Sequence, residues 1–156
     1  MVAENLLDTV RDEDLKCVFS GLNRFYSGQG LYAQAEPWLK LCVSIVQTRL
    51  GAEHPSVVNS FNNLAALYLL LGRYVEAKPL LIKSLKLSKR LLGSEHPHVA
   101  GSLNNLAKLY DSQQRYTEAE PLFLQALEIS EKSLGADHPN TIKIRENLKS
   151  CRDNQA

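Results

Sequence analysis

Apolar residues recur along this chain at steps of three and four positions, the spacing of one face of an α-helix. Leu15, Val18 and Leu22 form one such stripe early in the chain. The stripes stop where glycine appears and resume after proline. Glycine tolerates the left-handed conformation at a helix end, and proline suits the first helical turn. The pattern predicts an all-α protein built from amphipathic helices.

One stretch of the chain returns later in the sequence. Residues 62–65 read Asn-Asn-Leu-Ala, and the same four residues stand at 104–107, an offset of 42 positions. The two copies agree at roughly half of their positions, which indicates a repeat array. Each junction between copies carries Gly-x-acid-His-Pro, at 51–55, 93–97 and 135–139. Each copy is predicted to be a pair of helices, which we name helix A and helix B.

This period divides the chain into an N-terminal cap or partial helix at 1–13, repeats at 14–55, 56–97 and 98–139, and a closing helix with a tail at 140–156. Helix A is expected over 55–71 and 97–113, and helix B over 33–50, 75–92 and 117–134. Thr117 and Glu120 are interpreted as a capping box at the last of these. Each helix has a single apolar stripe, so the helices need one another for stability.

Composition narrows the range of functions. The chain has 156 residues with a net charge of +1, so we expect no general attraction to nucleic acid. The N-terminus lacks a basic region followed by an apolar run, and no apolar run is long enough to span a bilayer. We therefore expect no signal peptide and no membrane contact. Three cysteines without a paired spacing suit a reducing compartment, which predicts a cytoplasmic protein.

No catalytic pattern is visible in the sequence. There is no glycine-rich phosphate loop, no Gly-x-Ser-x-Gly turn and no His-Glu-x-x-His helix. His54, His96 and His138 recur with the repeat. Packed helices lie about 10 Å apart, too far for these side chains to share one ion. We expect them to be turn residues at helix starts, and we expect no enzyme activity, no metal and no cofactor.

The repeated positions resemble a tetratricopeptide repeat. Its pattern is carried by Leu64, Ala65, Tyr68, Gly72, Tyr74 and Ala77, and again in the next copy, where Gln114 replaces the glycine. The ordinary repeat has about 34 residues, and this one is longer by about two helical turns. The long form, with Leu-Asn-Asn-Leu-Ala and Leu-Gly-x-acid-His-Pro, is similar to the repeats of kinesin light chains, and bacterial proteins, cyanobacterial ones especially, carry similar arrays.

The resemblance covers about residues 15–148 and implies a right-handed α-α superhelix whose A helices line a concave groove. It also implies a scaffold or adaptor that binds a protein or an extended peptide. By this register the candidate binding residues are Arg24, Asn59, Asn62, Asn63, Asn104, Asn105, Lys108 and Asn147.

Two interpretations of the asparagine pairs remain open. An amide donates and accepts at once, so it can hold a peptide backbone of any sequence. Alternatively, the pairs bond between adjacent A helices and order the stack, because buried amides are usually satisfied by neighbours. A second function also remains open: a structural array that self-associates weakly through its ends, which the poor match of residues 1–13 to the repeat suggests.

Overall fold

The computed structural model describes residues 32–155, and within them the chain forms a stack of six helices. The helices are α1 Tyr32–Leu50, α2 Pro55–Leu70, α3 Tyr74–Leu92, α4 Pro97–Ser112, α5 Tyr116–Leu134 and α6 Pro139–Gln155. Each packs against the next, and the A helices α2, α4 and α6 also contact one another in series. This is the predicted all-α solenoid. The expected N-terminal cap, helix A of the first repeat and Arg24 lie outside the described residues.

The same N-cap arrangement starts a helix at each junction between repeats. The Nδ1 atom of His54 accepts a hydrogen bond from the backbone N–H of Ser56 at 3.1 Å, and Pro55 fills the first helical position. The same bond links His96 to the N–H of His98 and His138 to the N–H of Asn140. The histidines are therefore turn residues that cap helices, as predicted. A glycine with positive φ, such as Gly93 at 87°, ends the preceding helix.

The start of α5 differs from the prediction. A capping box at Thr117 was expected, but the residue that precedes the helix is Arg115, which makes no side-chain cap bond. Arg115 instead holds Glu118 with two of its nitrogens. Glu120, the acid of the expected box, accepts from Arg152 of α6 at 2.6 Å. The capping box is therefore wrong, because the helix begins before Thr117 and an ion pair with Arg152 takes the carboxylate of Glu120.

The core of the described residues consists of four buried clusters along the stack, which share half-buried side chains such as Val43 and Leu122. Leu64, Leu67 and Tyr68 of α2 pack with Ala77 and Leu81 of α3 in one buried cluster. The cluster continues into α1 and α4. Small residues lie where backbones approach, and five alanines are 0% exposed: Ala65, Ala77, Ala107, Ala119 and Ala126. A larger side chain at these positions would cost about 1–3 kcal/mol through overpacking.

Helix α6 closes the described end of the stack. Its buried side chains are Thr141, Ile144, Leu148 and Cys151. The Thr141 hydroxyl shares a hydrogen bond of 2.7 Å with Ser130 of α5. The residues on its outer side are exposed and mainly charged or amide-bearing, the character expected of a terminal element in a solenoid.

One carboxylate joins α1 to the next repeat. Glu36 accepts hydrogen bonds from Tyr68 at 3.2 Å and Arg73 at 2.6 Å, and it pairs with Lys40 at 2.7 Å. Its side chain is only 18% exposed. Lys40 and then Arg73 lower the pKa of Glu36 from 4.5 to about 2. The ionised form is therefore the one that the fold stabilises.

Glu36→Gln is expected to lower the free energy of unfolding at neutral pH by about 1–2 kcal/mol, after allowance for solvent screening. Because the folded pKa lies below the unfolded one, this contribution is complete above pH 4.5 and disappears as the pH falls toward 2. Urea unfolding of both proteins at pH 5 and pH 3 should show the difference shrinking. The control Glu128→Gln removes an exposed ion pair with Lys132 and should change little. An equal difference at both pH values would contradict the prediction.

Candidate binding groove

The predicted groove residues within the described part lie on the three A helices. Asn59, Asn62 and Asn63 are on α2, Asn104, Asn105 and Lys108 on α4, and Asn147 on α6. Because α2 contacts α4 and α4 contacts α6, these side chains belong to one continuous helical layer.

The first asparagine of each pair bonds to the next A helix. Asn62 donates from Nδ2 to the hydroxyl of Ser102 at 3.2 Å. Asn104, which is 9% exposed, accepts from Nδ2 of Asn147 at 2.9 Å. These two bonds link α2 to α4 and α4 to α6. The amides of Asn62, Asn104 and Asn147 therefore order the stack.

The second asparagine of each pair is placed differently. Asn63 and Asn105 are half-buried, and their side chains have no hydrogen-bond partner within residues 32–155. Asn59, one turn before Asn63, is exposed. The first member of each pair thus bonds to a neighbouring helix, as one of the two interpretations expected. The second member keeps its donors and acceptor available within the described residues.

A cleft of about 200 Å³ lies between α4 and α6. Asn105, Lys108 and Lys143 line it, together with the small residues Ala100 and Gly101. Lys108 is half-buried and makes no ion pair within the described residues. Burial, followed by the positive charge of Lys143, lowers the pKa of Lys108. A cation held without a counter-charge favours an anionic group in this cleft.

A buried hydroxyl network beneath the groove was missed by the sequence reasoning. The Ser102 hydroxyl that receives Asn62 also lies 3.0 Å from the hydroxyl of Ser84, which in turn donates to the carbonyl of Val58 at 3.3 Å. Asn62 Oδ1 is buried and has no hydrogen-bond partner among residues 32–155. Serine on a helix gives no sequence signal of burial, so only the packing reveals this network.

The remaining candidate chemistry is inert or absent in the part of the chain that the structure describes. Burial raises the pKa of the Cys42 thiol to about 12 and that of Cys151 to about 11, so both are protonated and unreactive. Between residues 32 and 155 no three side chains of His, Cys, Asp or Glu gather as metal ligands. None of the helices described there is both long and apolar enough to cross a membrane.

Comparison with known proteins identifies the repeat. The family model of the tetratricopeptide repeat matches three overlapping stretches, residues 17–81, 56–123 and 102–153. The chain therefore belongs to the tetratricopeptide repeat family.

Solved structures identify the type of array. A crystal structure from Podosopora anserina, assigned as a kinesin light chain with nearly identical TPR-like repeats, shares 30% identity with a TM-score of 0.78, over 88% of this chain and 65% of that one. A point variant of that protein gives 28% and 0.79, over 94% and 69%. BtubC (BKLC) from P. vanneervenii, at 24% identity and a TM-score of 0.77 over 95% and 60%, supports the fold alone.

These neighbours place the array in the kinesin-light-chain type. The chain spans 65% of the length of the first of them. No curated protein sequence matches the chain.

Proposed function

We propose that this chain is a protein-interaction module that holds an extended peptide or a partner protein along its A helices. One observation carries the proposal: Asn63 and Asn105, at equivalent positions of successive A helices, have amides without hydrogen-bond partners in the described part of the chain. Such amides can donate to and accept from a peptide backbone whatever its sequence. Tetratricopeptide repeats are in general protein–protein interaction modules, which supports the same conclusion.

The cleft beside Asn105 adds a preference for negative charge. Lys108 faces it without a counter-charge, and Lys143 adds to the positive potential. A carboxylate of the partner in this position would form a charge-assisted hydrogen bond, which is stronger than a neutral one. The volume of about 200 Å³ suits one acidic side chain. We therefore propose that the partner presents Asp or Glu near α4.

The module is proposed to act as a scaffold or adaptor rather than an enzyme. Its net charge of +1 gives no broad attraction to nucleic acid. The buried free thiols of Cys42 and Cys151 suit a reducing compartment, and on that ground we place the protein in the cytoplasm.

Two matched double variants test this function. Asn63→Ala with Asn105→Ala is expected to change the free energy of unfolding by less than about 0.5 kcal/mol, because neither amide has an internal bond. It should nevertheless lose partners that the wild type captures from lysate of the source organism. Asn62→Ala with Asn104→Ala should instead destabilise by about 1–2 kcal/mol, since it removes both bonds between A helices. Captured proteins are then titrated against purified variants by calorimetry.

An unchanged set of partners and unchanged affinities for the Asn63 and Asn105 variant would move binding to another surface. The alternative function, a self-associating array, would be favoured if the wild type captured nothing and formed multimers in sedimentation experiments at high concentration. The exposed polar residues on the outer side of α6 disfavour close stacking through that end.

A further inference from the structure

Within residues 32–155, successive repeats meet at a position that recurs every 42 residues. Residues 36, 78 and 120 are each the fifth residue of a B helix. They face residues 68, 110 and 152 of the following A helices. In the first junction Glu36 binds Tyr68 and Arg73. In the last, Glu120 binds Arg152 at 2.6 Å. Both junctions therefore contain an internal pair of a carboxylate and a cation.

The middle junction carries a lysine where the other two carry glutamate. Lys78 Nζ lies 5.4 Å from the ring centroid of Tyr110, and the guanidinium carbon of Arg115 lies 4.6 Å from the same ring. No carboxylate of the described residues forms an ion pair with Lys78, and the Tyr110 hydroxyl has no hydrogen-bond partner there. The cluster thus contains the donors of the first junction without the acceptor that joins them.

The guanidinium of Arg115 also lacks the carboxylate acceptor that its counterpart Arg73 has in the first junction. In the first junction, Nη1 of Arg73 binds Glu36 at 2.6 Å. The equivalent atom of Arg115 reaches only Gln113 Oε1, at 3.5 Å. Its other contacts go to Glu118. Lys78 and Arg115 therefore share a single nearby carboxylate, whereas two carboxylates balance two cations in the first junction. The middle junction has an excess of one positive charge.

A shallow cavity of about 360 Å³ opens beside these cations. Its lining includes the apolar residues Val75, Pro79 and Ile82 and the cations Lys78 and Arg115. Val75 is 86% exposed, the most exposed of the large apolar side chains in the described residues. An apolar surface next to unbalanced charge can bury an apolar side chain and pair a neighbouring acidic one.

We propose that Lys78, Tyr110 and Arg115 form a second binding site, which takes a carboxylate side chain of a partner protein whose neighbouring apolar side chain packs on Val75 and Ile82. The carboxylate occupies the place that Glu36 holds in the preceding junction. It accepts from the Tyr110 hydroxyl, from Nη1 of Arg115 and from Nζ of Lys78. The site shares no residue with the groove on the A helices, so it does not depend on the function proposed for that groove.

The test titrates the labelled full chain by nuclear magnetic resonance with three probes. These are acetyl-Leu-Glu-Leu-amide, acetyl-Leu-Gln-Leu-amide and inorganic phosphate. The glutamate peptide is expected to shift the backbone signals of Lys78 and Arg115 and to bind at least about tenfold more tightly than the glutamine peptide, because its hydrogen bonds involve a charged acceptor. Tyr110→Phe keeps the ring and should weaken binding severalfold.

Lys78→Glu restores the arrangement of the first junction, so it should keep the fold and reduce binding of the glutamate peptide by more than about tenfold. The control Lys83→Glu makes the same change of charge at an exposed position of the same helix, outside the cavity, and should retain most of the binding. The Asn63→Ala and Asn105→Ala double variant should keep the wild-type shifts of the Lys78 and Arg115 signals, because these signals report the second site and not the groove.

Several results would overturn the proposal. Equal affinity for the two peptides would show that the carboxylate does not contribute to binding. Unchanged binding by Lys78→Glu would show that the peptide does not bind at this junction. An equal loss from Lys83→Glu would reduce the effect to overall charge. Tighter binding of phosphate than of the glutamate peptide would identify a different class of anion site. Loss of the Lys78 and Arg115 shifts in the double asparagine variant would show that the site is not independent of the groove.

Discussion

Replacing Phe123 with alanine is expected to lower the free energy of unfolding by about 3–5 kcal/mol. Phe123 is the largest fully buried side chain among the described residues, at 0% exposure. It packs with Ala107 of α4, Ala119 of its own helix, and Leu148 and Cys151 of α6. The ring thus joins α5 to both neighbouring A helices. Several of its neighbours are small, so the surrounding structure cannot close the cavity that alanine would leave.

Urea unfolding followed by circular dichroism measures this loss. The matched control is Leu124→Ala, because Leu124 is the next residue and is 44% exposed. We expect it to cost less than about 1 kcal/mol. The loss in Phe123→Ala should concentrate in α5 and α6, since repeats in a solenoid contact only their neighbours. Equal losses from both substitutions would show that Phe123 does not hold these helices together.

Ser102→Ala is expected to cost about 1–3 kcal/mol, although it removes a single oxygen. Ser102 is 0% exposed, and its hydroxyl meets Asn62 Nδ2 at 3.2 Å and Ser84 Oγ at 3.0 Å. Asn62 Oδ1 already lacks a partner. Without Ser102 the amide of Asn62 would keep no hydrogen bond within the described residues, so the full penalty of its desolvation would appear.

A double-mutant cycle separates this desolvation penalty from the other effects of removing the Ser102 hydroxyl. Ser102→Ala combined with Asn62→Leu removes both polar groups and should recover most of the stability that Ser102→Ala loses. Ser112→Ala, at the exposed end of the same helix, serves as the control and should change little. Strictly additive effects of the two substitutions would show that the Asn62–Ser102 bond does not couple α2 to α4.

The helices could be predicted from sequence because their ends depend on local chemistry. Helix α3 begins at Tyr74 where 75 was expected, and α4 ends at Ser112 where 113 was expected. Proline, glycine and histidine at the junctions determine the local backbone conformation, so each copy of this sequence adopts the same conformation. The capping box at Thr117 failed for the opposite reason, because the partner of its carboxylate, Arg152, comes from another helix.

The two asparagines of each pair could not be separated by sequence. Asn62 and Asn63 have the same side chain and adjacent positions, yet they point about 100° apart on a helix of 3.6 residues per turn. Which amide meets the next helix depends on how each helix is rotated against its neighbour, which only packing determines. The charge reversal at Lys78 is visible in the sequence, but its meaning depends on knowing that Lys78 faces Tyr110.

The bonds of Asn62 and Asn104 to the next A helix set the spacing between successive A helices. The Asn62 bond fixes the separation of α2 and α4, and therefore the separation of Asn63 from Asn105. The Asn104 bond fixes the separation of α4 and α6. Packed helices lie about 8–10 Å apart, which corresponds to about three residues of extended chain at 3.3–3.6 Å each. A peptide held by both amides would be gripped at every third residue. If one residue were inserted in the peptide between the two bound positions, the peptide could no longer contact both amides in the same register.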